Sequence, residues 1–288
     1  MKVAIGILCH RRTKSIDKVI ELLGHEFDIY IHVDKKSNLN EFDDILDKVN
    51  FIEERVDVRW GSYSLVEGTL RLMEAFNKKN YDYVSIISGE CLPLKSAENI
   101  INFLQENKGK EFIGVDLNAK EKEIEERIKY KYSNSYYKKE QGRISSKLLN
   151  MKEKFLGKPI NEYYTRLPKL YKGCNWFTIS GELNNYILMF LKKNVEFENA
   201  FKNALCSDEI IFQTIVMNSK YKDKIYKFDT EYNDTHMALR YIDWESGPDY
   251  PKLLDESDFS KMRERDFIFG RKFNDNLDFE VYNDFFYN

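Results

Sequence analysis

In the first third of the chain, short aliphatic and β-branched runs take turns with stretches whose apolar positions recur every three or four residues. The runs are "KVAIGILCH", "FDIYIHVD", "VDVRW" and "YDYVSIISGE"; the periodic stretches include "TKSIDKVIELLGHE" and "SLVEGTLRLMEAFNKKN". Near-continuous apolar runs suit strands buried on both faces, and the three-and-four spacing suits helices with one buried stripe. Their alternation predicts an α/β fold: a mostly parallel central sheet with helices on both faces.

Each predicted strand ends in polar residues: His10, Asp34, Trp60-Gly61-Ser62 and Ser88-Gly89-Glu90. Ligands of open α/β sheets bind at the carboxyl ends of the strands, so these positions are candidates for a pocket. His10 and Asp34 are also the kind of residue that caps a strand or helix, but two polar strand ends in succession favour a site. Neither a G-x-G-x-x-G turn after the first strand nor a G-x-x-x-x-G-K-[ST] loop occurs. A dehydrogenase or P-loop enzyme is therefore disfavoured.

At 288 residues and 42% apolar composition, one continuous domain spanning 1–288 is expected. The formal net charge of −3 argues against general nucleic-acid binding. Cys9, Cys91, Cys174 and Cys206 lie far apart without a C-x-x-C pair, which suggests neither a zinc site nor a disulfide framework. No apolar run is long enough for a membrane span. The expectation is a cytoplasmic protein, free or peripheral at the inner membrane face. One segment departs from the rest. Between Arg127 and Lys158, ten Lys or Arg stand against two Glu, a balance of +8, with Tyr130, Tyr132, Tyr136 and Tyr137 interleaved. It reads either as a solvated basic, Tyr-rich insertion or as a surface for an anionic membrane or a lipid-linked diphosphate.

Eight motifs occur in order: "ILCHRR", "YIHVDKKS", "WGSYSLVEGTLRLMEAF", "YVSIISGECLPLKSAENIINFL", "LYKGCNWFTIS", "SDEIIFQTIVMNS", "LRYIDW" and "FGRKF". In this order and spacing, from about Val3 to Phe273, the chain resembles the core-2/I-branching β-1,6-N-acetylglucosaminyltransferases and the related peptide O-xylosyltransferases. The resemblance implies a GT-A-like fold, a UDP-sugar donor and inverting transfer to a hydroxyl of a glycan or lipid-linked glycan. It places the general base in Ser207-Asp208-Glu209, at Glu209. An acidic pair of this kind also suits a helix cap. The resemblance further places Arg240, Arg271 and Lys272 on the donor diphosphate, where guanidinium and ammonium groups stand in for a metal. His10 and Asp34 fall on the nucleotide side, and Trp60, Glu90, Asn175 and Trp176 on the acceptor side.

The chain contains no Asp-x-Asp, the motif with which most GT-A enzymes hold a divalent ion. No metal and no cofactor are therefore expected. Two positions depart from the pattern. Asn175 occupies a place where the xylosyltransferase branch has an acid, and an amide accepts no proton at neutral pH. Cys91 stands where the family commonly has Asp. The first departure favours Glu209 as sole base and N-acetylglucosamine over xylose as the transferred sugar. Trp176 reads equally as core or as a platform for a sugar ring. The alternatives are transfer of xylose or another sugar, or a non-catalytic nucleotide- or glycan-binding protein. The absence of an anchor and stem points to a bacterial-type member that acts on surface polysaccharide.

Overall fold

The computed structural model describes residues 1–137, 157–248 and 250–287. Three of the apolar runs fold as strands, β1 (Val3–Cys9), β2 (Asp28–Val33) and β4 (Tyr83–Ser88), and a two-residue β3 (Asn50–Phe51), outside the named runs, precedes β4 in the chain. With β6 (Thr178–Ser180) they form one sheet in the order β3-β2-β1-β4-β6. β1 runs parallel to both β2 and β4, pairing Ala4 with Asp28 and Val3 with Tyr83. Only β6 is antiparallel, pairing Thr178 with Ser85.

Side chains along β1 alternate between two apolar layers, as the twofold repeat of a strand requires. Val3, Ile5 and Ile7 pack with helix α1 (Lys14–Leu23) and helix α3 (Ala97–Glu106). Ala4 and Leu8 pack with helix α2 (Ser64–Phe76) and with the helices Gly181–Lys193 and Ile211–Met217. The sheet is thus covered on both faces, as the hydrophobic pattern predicts. Thr13 caps α1 by accepting from the Ile16 N–H, while its own hydroxyl donates to the Gly89 carbonyl at the end of β4.

"VDVRW" is not a strand. Its backbone groups bond to side chains: the Val56 N–H donates to His32 Nε2 at 3.0 Å and the Arg59 N–H to Ser64 Oγ at 2.8 Å. The segment leads into α2, and the pairing edge of β2 is taken by Asn50–Phe51.

A second sheet crosses the carboxyl edge of the first. It joins β5 (Cys91–Pro93), β8 (Phe269–Arg271) and β7 (Arg240–Ile242) in the order β5-β8-β7. Cys91 pairs with Arg271, which delivers β8 and the following Lys272 to the end of β4. Among the described residues no helix is long and apolar enough to cross a membrane.

Candidate active site

Three backbone segments meet so closely that only glycine fits between them. A Cβ on Gly114 would lie 2.0 Å from the Asp234 carbonyl oxygen, and one on Gly173 would lie 2.0 Å from the Gly114 carbonyl oxygen. The contact stacks the stretch ending at Asp116, the extended "YKGCNW" and the turn at Asp234. A fourth segment joins when the Gly173 N–H donates to the Glu209 carbonyl at 2.9 Å. These four enclose a pocket of about 360 Å³ lined by Asp116, Arg127, Lys172, Asn175, Trp176, Glu209, Asp234 and Trp244, among others.

Glu209 ends a short 3₁₀ turn, Ser207–Glu209, entered through Cys206 in the left-handed region at φ 50°. The helix proper begins at Ile211 and has no side-chain cap, and the buried Ser207 hydroxyl has no hydrogen-bond partner. The capping role for this acidic stretch is therefore not the one realised. Glu209 Oε2 instead accepts from Arg127 Nη1 at 2.6 Å, with both side chains about one-third exposed. One carboxylate oxygen is held by a cation, and the group still faces the pocket.

Asp208 lies beneath it and is buried. Burial, then the Glu209 charge, push its carboxyl up to about 7, against the hydrogen bond from Asn175 Nδ2 at 2.8 Å. Asn175 thus anchors the neighbour of the expected base. Asp234 is pushed up to about 6, by burial first and then by the Asp116 charge. Lys172 Nζ stands 3.9 Å from Asp116 Oδ2.

The other expected residues fall into three groups. Arg271 lies with its guanidinium 5.3 Å from the centre of the Trp176 ring and donates from Nε to Ser88 Oγ at 3.2 Å. Lys272 Nζ is 3.5 Å from Glu90 Oε2. Both cations thus stand at the end of β4 beside the pocket. Trp176 is 6% exposed and carries Arg271 against its ring, so it is core that positions a cation, and the open-platform alternative is not realised. Cys91 is buried against Ser88, leaving Glu90 as the carboxylate of that turn.

His10 and Asp34 are brought together at the neighbouring ends of β1 and β2. The Asp34 N–H donates to the Cys9 carbonyl, and the exposed His10 offers its carbonyl to Ser37 Oγ. The Asp34 carboxylate accepts from Lys36 Nζ, which also binds Asp57. Trp60 is exposed, and the Gly61 carbonyl after it accepts from the Cys206 N–H at 2.7 Å, so its loop abuts the turn of Glu209.

Arg240 is the exception to the expected grouping. It is fully buried, and its guanidinium donates to the carbonyls of Ala238 and Phe177 and to the hydroxyls of Ser85 and Thr178. Its ring partner is Phe269 at 4.9 Å. In this arrangement it binds the two sheets together and presents nothing to a diphosphate.

Asp116, Asp234 and Trp244 were not among the expected site residues. Asp116 and Asp234 are common residues outside the eight motifs, brought together by the glycine contacts, whereas Trp244 closes the motif "LRYIDW". Arg127 is the first residue of the basic segment. It belongs to helix α4 (Glu121–Lys129) and serves the pocket. Lys131 pairs with Glu162, and Lys158 lies over the rings of Tyr130, Tyr132 and Tyr136. The remaining basic residues of that segment, Lys138 to Lys154, lie outside the described residues. No group of three or more His, Cys, Asp or Glu arranged to hold a metal occurs among the described residues.

A mostly parallel sheet with polar groups at the strand ends, joined there by a second small sheet, defines a GT-A-like α/β domain. The chain belongs to the Core-2/I-branching enzyme family of glycosyltransferases, which it matches over residues 4–267. It is 27% identical over 123 residues to Xylosyltransferase oxt of Drosophila melanogaster, covering 39% of this chain and 14% of that protein. Similarity to Xylosyltransferase 2 of Rattus norvegicus is likewise 27% over 123 residues, again 39% of this chain and 14% of the relative. The chain thus spans only a small part of the length of the curated relatives it matches.

Proposed function

We propose that this chain is an inverting glycosyltransferase that moves N-acetylglucosamine from its UDP donor to a hydroxyl of a glycan acceptor. The observation that carries the reading is Glu209, partly exposed on the wall of the pocket and held at one oxygen by Arg127. Its second oxygen takes the proton of the acceptor hydroxyl as that hydroxyl attacks the anomeric carbon from the face opposite UDP. The buried Asp208, tied to Asn175, is the poorer candidate because its carboxyl does not reach solvent.

The leaving diphosphate gains charge as the glycosidic bond breaks. Arg271 and Lys272, brought to the end of β4 by β8, are the groups assigned to meet it, with no metal required. Arg240 is left out of this role because it is fully buried and its Nη groups are bonded inside the fold. His10 and Asp34 keep the nucleotide side, and Glu90 and Trp60 the acceptor side. The same reading treats residues 1–288 as one domain and places it in the cytoplasm, acting on surface polysaccharide at the inner membrane face.

A second reading, with xylose as the transferred sugar, is favoured by the names of the matched relatives. Asn175 at the place of an acid weighs against it. The test is hydrolysis of a panel of UDP-sugars by the purified protein, with and without EDTA. Turnover of UDP-N-acetylglucosamine above UDP-xylose, unchanged by EDTA, is expected. Faster turnover of UDP-xylose would move the assignment to the second reading, and loss of activity restored by manganese would remove the metal-free mechanism.

A further inference from the structure

Helix Gly181–Lys193 carries opposite charges at its two ends. Its one acid, Glu182, stands in the first turn and binds Lys220 at 3.2 Å, while Lys192 and Lys193 close the last turn. Among the described residues neither of these lysines has an acidic partner. The amino end of the helix lies at the start of β4, because Ser180 pairs with Tyr83 and the Gly181 N–H donates to the Asp82 carbonyl at 3.1 Å. A helix of this length rises about 20 Å, so its lysine end returns to the edge of the sheet where the parallel strands finish. The Tyr63 hydroxyl, at the N-terminus of α2, reaches Glu198 of the following helix Val195–Phe201 at 2.8 Å and fixes that placement. The Glu209 pocket lies at the same edge.

Beside those lysines the surface is apolar. A groove of about 480 Å³ lies between the two helices and the extended stretch at Leu167–Pro168, with Leu167, Phe190 and the buried Phe197 in its lining. Val195 stands in its wall, 55% exposed, and Met189, 42% exposed, shares a helix face with Lys192 and Lys193. Lys193 lines the groove, and the one acid in the lining, Glu196, is already paired with Arg166 at 2.7 Å. Glu121 and Glu125 line a separate cavity that shares only Leu167 and Pro168 with the groove. Lysines in a last turn complement the helix dipole, which accounts for their charge but not for the exposed valine and methionine beside them.

Exposed apolar side chains next to unpaired ammonium groups fit a surface that is anionic at its face and apolar beneath. Lysine stems lie along the apolar layer while their charges stay at the phosphates. A second copy of the chain would set Lys192 and Lys193 against their own counterparts across a twofold contact, and like charges oppose that. A soluble polyanion would meet the charge but leave Val195 and Met189 in water. We infer that Met189, Lys192, Lys193 and Val195 seat the protein on an anionic phospholipid surface, at the edge that carries the Glu209 pocket. The inference rests on the proposed work at a membrane face and names the surface that meets it; it does not rest on the chemistry at Glu209.

For the test, the full chain is sedimented at low salt with phosphatidylcholine vesicles, with and without phosphatidylglycerol. Binding is expected only to the mixed vesicles and should fade as salt rises. Lys192→Gln with Lys193→Gln should weaken it roughly 30-fold, at about fivefold for each cation near an anionic surface. Val195→Asp should weaken it about tenfold or more, through lost apolar burial and an added like charge. All three positions are exposed and an acid in the first turn of a helix is favourable, so both variants keep the fold, which an unchanged melting temperature checks. Lys138, Lys139, Arg143 and Lys147 changed together to Gln should leave binding in place. Native protein that ignores both kinds of vesicle, or binds both equally, would overturn the inference. So would binding that survives the groove variants, binding abolished by the change at Lys138 to Lys147, or a dimer that Val195→Asp splits. Hydrolysis of UDP-N-acetylglucosamine by the native protein separates the two readings. Vesicle binding without hydrolysis spares the surface and sinks transfer; hydrolysis without vesicle binding does the reverse.

Discussion

The Glu209 pocket and the seam around Arg240 both hold charged side chains away from bulk water, but in different ways. In the seam, Arg240 of β7 is fully enclosed, its Nη groups meet Ser85 and Thr178 of the first sheet and the Ala238 and Phe177 carbonyls, and burial pulls its guanidinium down to about 10. In the pocket, Arg127 and Glu209 are paired but about one-third exposed, and Asp208 and Asp234 are held near the pH at which they change charge. Enclosure with every acceptor inside the fold makes a cation a fastener. A pair that still faces open space leaves a group able to exchange its partner for a substrate, which is the condition for acid–base work.

The largest expected effect tests the pocket. Glu209→Gln keeps shape and hydrogen bonding, and it should lower kcat by roughly 10²- to 10⁴-fold with UDP affinity nearly unchanged. A fall of less than about fivefold would move the base to Asp208 or Glu90.

Arg240→Gln probes the seam. It strips cation and ring contact from a closed site, and a loss of about 3 kcal/mol in urea unfolding is expected. If stability held while UDP binding disappeared, Arg240 would return to the donor site and the contrast between the regions would collapse.

Replacing Arg271 and Lys272 together by Ala removes cations that stand between the two regions. UDP should bind about tenfold or more weakly by calorimetry, because charge-assisted hydrogen bonds contribute about 1.5–3 kcal/mol. Unaltered UDP affinity would leave these cations as partners of Trp176 and Glu90 alone.

The smallest effect concerns Asp208. Its folded carboxyl titrates near 7, above the ordinary 3.8, so the native state holds its proton more tightly than the unfolded chain. Its contribution to stability is therefore full below the ordinary carboxylate range and is lost as pH rises through about 7. Asn does not titrate, so the melting temperature of Asp208→Asn relative to the native protein should rise between pH 4 and pH 7 and level off above. A difference that stays flat with pH would mean that Asp208 is not held protonated.

Much was legible without coordinates. Parallel strands buried on both faces need long apolar runs, and their covering helices need a stripe, so the alternation of the two periods determined the sheet and both of its layers. The order of eight motifs determined the family. The polar residues at strand ends followed from the same pattern, because a parallel sheet places every carboxyl end on one edge. "VDVRW" shows the limit of local pattern: its composition suits a strand, but His32 and Ser64 satisfy its N–H groups from elsewhere in the fold.

Which charges stay open to the pocket and which fasten the fold was decided only by tertiary structure. Arg240 and Arg271 both begin or end short strands of the second sheet, and nothing in their immediate neighbours distinguishes them. The register puts both on one face of that sheet, Arg240 opposite Phe269 and Arg271 two residues further along opposite Ile242. The step along the strand separates them: Arg240 reaches Ser85 and Thr178 inside the first sheet, while Arg271 reaches Ser88 at the end of β4 and lies against Trp176. Of the pocket corner formed by Asp116, Lys172 and Asp234, only Lys172 stood in a motif of the sequence, "LYKGCNWFTIS"; the two acids did not. The corner exists because Gly114 and Gly173 let distant backbones touch, and a contact without side chains leaves no periodicity to read.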